Sequence, residues 1–194
     1  MKRATRATAC VLMLAVLAVG AAGQTEERTA EDRLVTLAQQ LRMGMTLATV
    51  AAYSPTLDDL RLHAQQLVNL LEGSNGKHFV RPAPPADDVP GLLVEMAWLG
   101  TRFDAALPDP ESRARVGNAA RNVRTFLTFA LEAALTALDE RRIDRASTDM
   151  LRTYAFLLAA YERPCDISYV PALWTLLRAF GVTEQLGADT PEGG

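Results

Sequence analysis

The chain has 194 residues, of which 49% are hydrophobic and 22% are charged, a balance typical of a folded domain. With two His and two Cys, few side chains are available for metal binding or nucleophilic catalysis. The sequence contains no P-loop, Rossmann glycine motif, zinc-ligand spacing or serine-hydrolase elbow. We therefore expect one domain that is not an enzyme.

Residues 1–23 have the pattern of a secretory signal peptide. Three basic residues near the start are followed by an apolar stretch over 9–19 and then by small residues that a signal peptidase accepts. An uncleaved anchor is the alternative, because residues 7–25 carry no charge. We expect cleavage, a periplasmic or secreted product, and no stable membrane insertion afterwards.

Removal of residues 1–23 changes the net charge from −3 to −6, because it takes away three basic residues and no acidic ones. An acidic chain lacks the basic face that nucleic-acid binding needs, so we expect no nucleic-acid partner. Cys165 would be the one remaining thiol, and we expect no disulfide within the chain. The partner class that remains is a protein or a small ligand, and no cofactor can be named.

The spacing of apolar residues and the positions of Pro predict a series of helices, because Pro is unfavourable inside a helix. Thr29 and Thr56 are predicted N-caps, and Gly73 and Gly181 are predicted helix stops. In chain order, the predicted helices run from Ala30 to Tyr53, from the Thr56 cap to Gly73, from an Asp88–Pro90 start to Leu107, from Pro110 to about Glu140, from about Asp144 to Tyr161, and from Pro171 to Phe180.

The first, second, third and fifth predicted helices each carry an apolar stripe that we expect to face the core. In the third predicted helix the stripe consists of Leu92, Met96, Leu99 and Phe103. In the fifth it consists of Leu151, Tyr154, Leu158 and Tyr161. Their recurrence at steps of three and four places each set along one side of its helix.

The fold class that follows is all-α, since no segment shows the alternating pattern of a β-strand. We expect an up-down antiparallel bundle of four to five main helices with a short C-terminal helix. The predicted domain covers 24–183, with a disordered acidic tail over 184–194. A loop over 74–88 is rich in Pro and Gly. Loops of this length are usually functional or mobile, and we expect the same here.

The candidate site lies on the second predicted helix and the loop after it. His63 falls on the same side of the helix as Leu67 and Leu70, which predicts a half-buried position. It is either a core histidine that is hydrogen-bonded to a neighbouring group or a ligand inside the bundle. The residues that we single out for ligand binding are His63, Asn69, Glu72 and His78.

His63, Ala64, Asn69, Glu72 and Gly73 follow the pattern H-A-x-x-x-x-N-x-x-E-G. This pattern resembles a motif in uncharacterised exported helical proteins of bacteria, in which a similar helix precedes a Gly-containing loop. The resemblance covers roughly 20 residues and implies an exported α-helical domain, with no activity to transfer. The loop here departs from the pattern by its three Pro residues at 82, 84 and 85, so no binding role of that loop is carried over.

A haem or metal carrier would use His63 with a methionine as the second ligand in the bundle core. The methionines that such a site would draw on are Met43, Met45, Met96 and Met150. Methionines at helical spacing also fill cores, and the sequence contains no C-x-x-C-H motif for covalent haem. We keep a carrier or sensor as the alternative function.

Arg113, Arg121 and Arg124 fall on one side of the fourth predicted helix. They are either a solvated face or a site for an anionic ligand. Together these features predict a small exported helical bundle that acts as a binding or interaction module.

Overall fold

The structure, a computed structural model, describes residues 28–81, 90–107, 109–161 and 170–186. Within these ranges the chain is all-α, as predicted, and contains no β-strand. The helices are α1 (Ala30–Ala52), α2 (Leu57–Glu72), α3 (Leu92–Ala106), α4 (Pro110–Asp139), α5 (Ile143–Tyr161) and α6 (Leu173–Ala179), and a 3₁₀ turn follows at Glu184–Leu186. None of the described helices combines the length and the apolar character that crossing a membrane requires.

Side-chain caps set the starts of three helices. The Thr29 hydroxyl accepts from the backbone N–H of Asp32 at 3.2 Å, which confirms the cap predicted for α1. Thr56 starts α2 in the same way, since its hydroxyl accepts from the N–H of Asp59 at 3.1 Å. These bonds satisfy backbone donors that the first helical turn leaves without a partner.

Asp109 caps α4, and Pro110 is the first residue of that helix. The Asp109 carboxylate accepts from the Ser112 backbone N–H at 2.7 Å, and this bond lowers the pKa of Asp109. Because the folded-state pKa is depressed, the stability that the cap adds is present at neutral pH. It is lost as the pH falls through that pKa.

The predicted start of the third helix is wrong. Asp88 lies outside the described residues, and α3 begins at Leu92 with Gly91 as a cap that forms no side-chain hydrogen bond. Pro90 instead pairs with Gly73 in an isolated antiparallel bridge. Gly73 has φ +76°, and a Cβ on Gly73 or on Gly91 would overlap the backbone opposite it. A tertiary contact between two backbones therefore decides where α3 starts.

An ion pair joins α1 to α3 beside this contact. Glu95, which is 6% exposed, lies 2.9 Å from the Arg33 guanidinium. Arg33 also stacks over the Trp98 ring, with 4.1 Å between its Cζ atom and the ring centroid. These contacts fix the orientation of α3 against α1. That orientation decides which face of α3 is buried and which is exposed.

The core of the described ranges is built mainly of Leu and Ala, and each of α1 to α6 contributes to it. The face predicted for the third helix is confirmed, since Leu92, Met96, Leu99 and Phe103 are all buried. Gly44 marks a close helix crossing, because a Cβ there would lie 3.3 Å from a methyl carbon of Leu67. Small residues at such points allow helices to approach closely and fill the interior without voids.

The face predicted for the fifth helix is wrong at two of its four positions. Leu151 and Leu158 are 46% and 42% exposed, whereas Tyr161 is buried and Tyr154 is half-buried. The buried face of α5 consists of Ala146, Asp149, Met150, Thr153, Leu157, Ala160 and Tyr161. The helix carries two neighbouring apolar stripes, and periodicity alone does not tell which one meets the other helices.

The folded part of the chain extends beyond the predicted domain end at 183. Residues Glu184–Leu186 form a 3₁₀ turn, and Leu186 is 7% exposed. Gly181 stops α6 with φ +69°, as predicted, although the helix is shorter than 171–180. The rest of the predicted tail, 187–194, lies outside the described residues.

Two adjacent leucines of α5 offer a direct test of this packing. Leu157→Ala should lower the free energy of unfolding by about 2–5 kcal/mol, because it leaves a cavity at a fully buried position. Leu158→Ala should change that free energy by less than about 1 kcal/mol, since Leu158 is exposed. Urea unfolding followed by circular dichroism measures both, and a larger loss for Leu158→Ala would contradict the observed face.

Candidate functional site

Asn69, one of the predicted site residues, anchors the segment that follows α2. It is 2% exposed, and its Oδ1 atom accepts from the backbone N–H of Val80 at 3.1 Å. Its Nδ2 atom donates to the carbonyl of Val80 at 2.9 Å. The Asn69 side-chain amide therefore bonds to both the N–H and the carbonyl of Val80, as the backbone of a neighbouring strand would.

Glu72 and His78 form the second anchor of this segment. The Glu72 carboxylate accepts from the His78 backbone N–H at 2.7 Å and lies 2.7 Å from the Nδ1 atom of the His78 ring. Gln65 donates to the His78 carbonyl at 2.8 Å. Gly76 lies so close to Glu72 that a Cβ at position 76 would overlap the Glu72 side chain.

The structure thus brings together three of the four predicted site residues, Asn69, Glu72 and His78. The side chains of Asn69 and Glu72 hydrogen-bond to the backbone of Val80 and His78, and Glu72 also contacts the His78 ring. These bonds give the cluster a structural role. His63 lies apart, about 9 Å from Asn69 along the helix axis. It is half-buried, and its Nδ1 atom is 3.0 Å from the Oε1 atom of Gln66. Ligand binding by any of the four stays a prediction.

Within the described ranges, no three His, Cys, Asp or Glu side chains are grouped so that they could hold a metal ion. Met96 and Met150 are buried in the core, whereas Met43 is 46% exposed. Cys165 lies outside the described residues. A metal or haem carrier built on His63 stays a prediction.

A groove of the described surface lies between α3 and α4. We call it the α3–α4 groove, and its volume is about 930 Å³. Its floor and walls are mostly apolar or small, and its charged residues are the three arginines that the sequence placed on one side of the fourth helix. The residues that line it are Met96, Ala97, Gly100, Thr101, Phe103, Pro110, Arg113, Ala114, Gly117, Asn118, Ala120, Arg121 and Arg124.

The three arginines are spread along the length of the groove. With a rise of about 1.5 Å per helical residue, Arg113 and Arg121 are about 12 Å apart along the axis of α4. Arg124 follows about 4.5 Å beyond Arg121. Gly117 lies midway between Arg113 and Arg121, so the two ends of the groove are charged and its middle is not.

Arg121 and Arg124 differ from most other arginines of the described surface in their lack of partners. Both are exposed, and no hydrogen bond or ion pair joins their guanidinium groups to a described residue. By contrast, Arg142 lies 2.6 Å from Asp144 and Arg152 lies 2.8 Å from Asp149. The guanidinium donors of Arg121 and Arg124 are therefore available to a ligand.

Arg113 is held more loosely by its own helix start. Its Nε atom is 3.5 Å from the carbonyl of Asp109, at the limit of a hydrogen bond. The side chain is exposed, and its terminal nitrogens remain available at the groove end nearest to the start of α4.

Two glycines keep the groove open. A Cβ added at Gly100 of α3 or at Gly117 of α4 would meet no atom within 4 Å. Both glycines lie inside helices, where Gly costs about 0.5–1 kcal/mol relative to Ala. Two unfavourable glycines inside predicted helices are therefore a sequence feature that indicates a groove, whereas the arginine pattern alone does not.

A smaller groove of about 340 Å³ lies between α1 and α5. Its one charged residue is Arg42, which donates to the Tyr161 hydroxyl at 2.8 Å and lies 5.3 Å from the ring centroid. Because the Arg42 guanidinium already has a partner, this groove has fewer free hydrogen-bond donors for an anion than the α3–α4 groove has.

Comparisons of the chain with protein-family models, with curated proteins and with solved structures gave no significant match. The resemblance of the His63–Gly73 segment to exported helical proteins therefore stays a prediction.

Asn69→Ala tests the anchoring of the 74–81 segment. The change leaves both backbone groups of Val80 without their partner, so stability should fall by roughly 1–2 kcal/mol. Amide hydrogen exchange at Val80 should quicken while the amides of α4 stay protected. Asn75→Ala, at an exposed position of the same segment, is the matched control. Equal exchange at Val80 in both variants would contradict the anchor.

Proposed function

We propose that the protein is a binding module and that the α3–α4 groove is its site for an anionic ligand. The observation that carries the proposal is the coincidence of two features at one place. A groove of about 930 Å³ is lined by Arg121 and Arg124, whose guanidinium groups have no partner among the described residues.

The chemistry of arginine supports an anion as the ligand. A guanidinium is charged at every physiological pH and presents five donors in a planar fork that matches a carboxylate or a phosphate group. Charge-assisted bonds of this kind are stronger than neutral ones. Two such groups about 4.5 Å apart along one helix make a local positive site on a chain whose overall charge is −3.

The apolar part of the groove supports a ligand with a non-charged body. Met96 and Phe103 are each 2% exposed and form the floor, while Gly100 and Gly117 leave space above it. A groove of about 930 Å³ has room for more than the anionic group alone. The charged groups would set the ligand's orientation, and apolar contact would add affinity.

The module is proposed to act outside the cytoplasm. The basic start, the apolar stretch and the small residues of 1–23 support export and cleavage. In that case the ligand is one that the protein meets in the periplasm or in the medium.

Processing is tested by mass spectrometry of the protein recovered from its native host or from a bacterial expression host. We expect the mature chain to begin near Gln24 and to occur in an extracytoplasmic fraction, because the residues before it suit signal peptidase. Material that retains Met1 and stays bound to the membrane would contradict cleavage.

Anion binding is tested by titrating the isotope-labelled protein with inorganic pyrophosphate and following the arginine Nε–Hε signals. We expect saturable shifts at Arg121 and Arg124. The R121Q/R124Q double variant should bind at least about tenfold more weakly, because it loses charge-assisted bonds. Binding should also weaken as salt rises.

Arg145→Gln is the matched control for that titration. Arg145 is exposed on the first turn of α5, outside the groove. The variant should bind pyrophosphate as the unmodified chain does. Shifts of equal size at Arg145 and at the groove arginines, with no saturation, would show non-specific attraction and overturn the site.

A further inference from the structure

The charges of the α3–α4 groove are arranged at two ends rather than at one point. Arg113 lies at one end, and Arg121 and Arg124 lie about 12 and 16 Å away along α4. A ligand that carries two anionic groups with a spacer between them can bind Arg113 with one group and Arg121 and Arg124 with the other.

The middle of the groove is shaped for a thin, uncharged spacer. Gly100 and Gly117 lie on its two walls, and neither position has an atom within 4 Å of an added Cβ. Thr101 and Asn118 are exposed beside these glycines. The Thr101 hydroxyl donates to the Trp98 carbonyl at 2.7 Å and can still accept, and the Asn118 amide can donate and accept. Such groups can bond to the N–H and carbonyl groups of a peptide backbone.

We infer, on the basis of the function proposed above, that the groove takes an extended peptide segment with two acidic residues four positions apart. An extended chain advances about 3.3 Å per residue, so four residues span about 13 Å, close to the separation of Arg113 and Arg121 along α4. Side chains at positions i and i+4 of an extended segment lie on the same face. Both acidic side chains then point to the arginines of α4.

Other ligand classes fit the groove less well. Most of the lining residues on α3 and α4 are exposed, whereas a site for a compact small molecule encloses most of its ligand. Nucleic acid carries a charge at every nucleotide and needs a continuous track of cations. Three arginines over about 16 Å, on a chain of net charge −3, do not form such a track.

Two peptides of identical composition test the spacing. Acetyl-EVTVE-amide places its glutamates four positions apart, and acetyl-VETEV-amide places them two apart. Calorimetry with the full mature chain should show the first peptide binding about tenfold more tightly, because only it reaches both ends of the groove. The neutral peptide acetyl-QVTVQ-amide should bind neither end.

Variants of the chain assign this difference to the groove. Arg113→Gln should remove the tenfold preference, because acetyl-EVTVE-amide loses one of its two anchors whereas the shorter spacing needs only Arg121 and Arg124. Gly117→Leu should block the first peptide by filling open space, and Gly117→Ala, which adds one methyl group there, is its matched control. Circular dichroism and urea unfolding check that each variant folds.

The outcomes separate this inference from the function proposed above. Equal affinity for the two acidic peptides, or binding of pyrophosphate with no binding of either peptide, would overturn the inference and leave the anion site standing. Tighter binding of a pentathymidylate oligonucleotide than of acetyl-EVTVE-amide would also overturn it. If neither peptide nor pyrophosphate shifts the arginine signals, both proposals fail.

Discussion

The close approach of the Gly73 and Gly91 backbones is the contact from which the positions of α2 and α3 follow. Gly73 has φ +76°, and Pro90 bridges to it, so the end of one helix and the start of the next lie side by side. A Cβ at either glycine would overlap the opposite backbone. With the Glu95–Arg33 ion pair, this contact places α3 against α1 and α4. The wall of the α3–α4 groove is therefore set by residues that lie outside the groove.

Two groups of polar residues in the bundle have different physical roles. At the end of α2, Asn69 and Glu72 are largely buried and fully engaged with the backbone of 74–81, as buried polar groups must be to offset the loss of water. On α4, Arg121 and Arg124 are exposed and have no partner among the described residues. The first group holds residues 74–81 against the end of α2. The second group can bind a ligand, because its donors are not used within the chain.

Local sequence was sufficient to predict several features. Hydroxyl caps at Thr29 and Thr56 act through bonds to residues three positions on, so their effect is contained in a few neighbouring residues. A glycine such as Gly181 stops a helix through its own φ angle. The shared side of the α4 arginines likewise follows from helical geometry within one element. Anion binding there was one of two interpretations that the sequence left open.

Tertiary structure decided the rest. In α5, Leu157 and Leu158 are adjacent and chemically identical, yet Leu157 is fully buried and Leu158 is 42% exposed. The difference arises because the neighbouring helices pack against only one of the two apolar stripes of α5. The start of α3 depends on a backbone contact with Gly73, which lies far from it in sequence. The arginines of α4 became a candidate site only when α3 supplied the opposite wall. Sequence by itself determined the helices and the residues that each one carries on a given side, since those depend on neighbours along the chain. Which sides are buried, and which two enclose a groove, depended on residues brought together from distant parts of the chain.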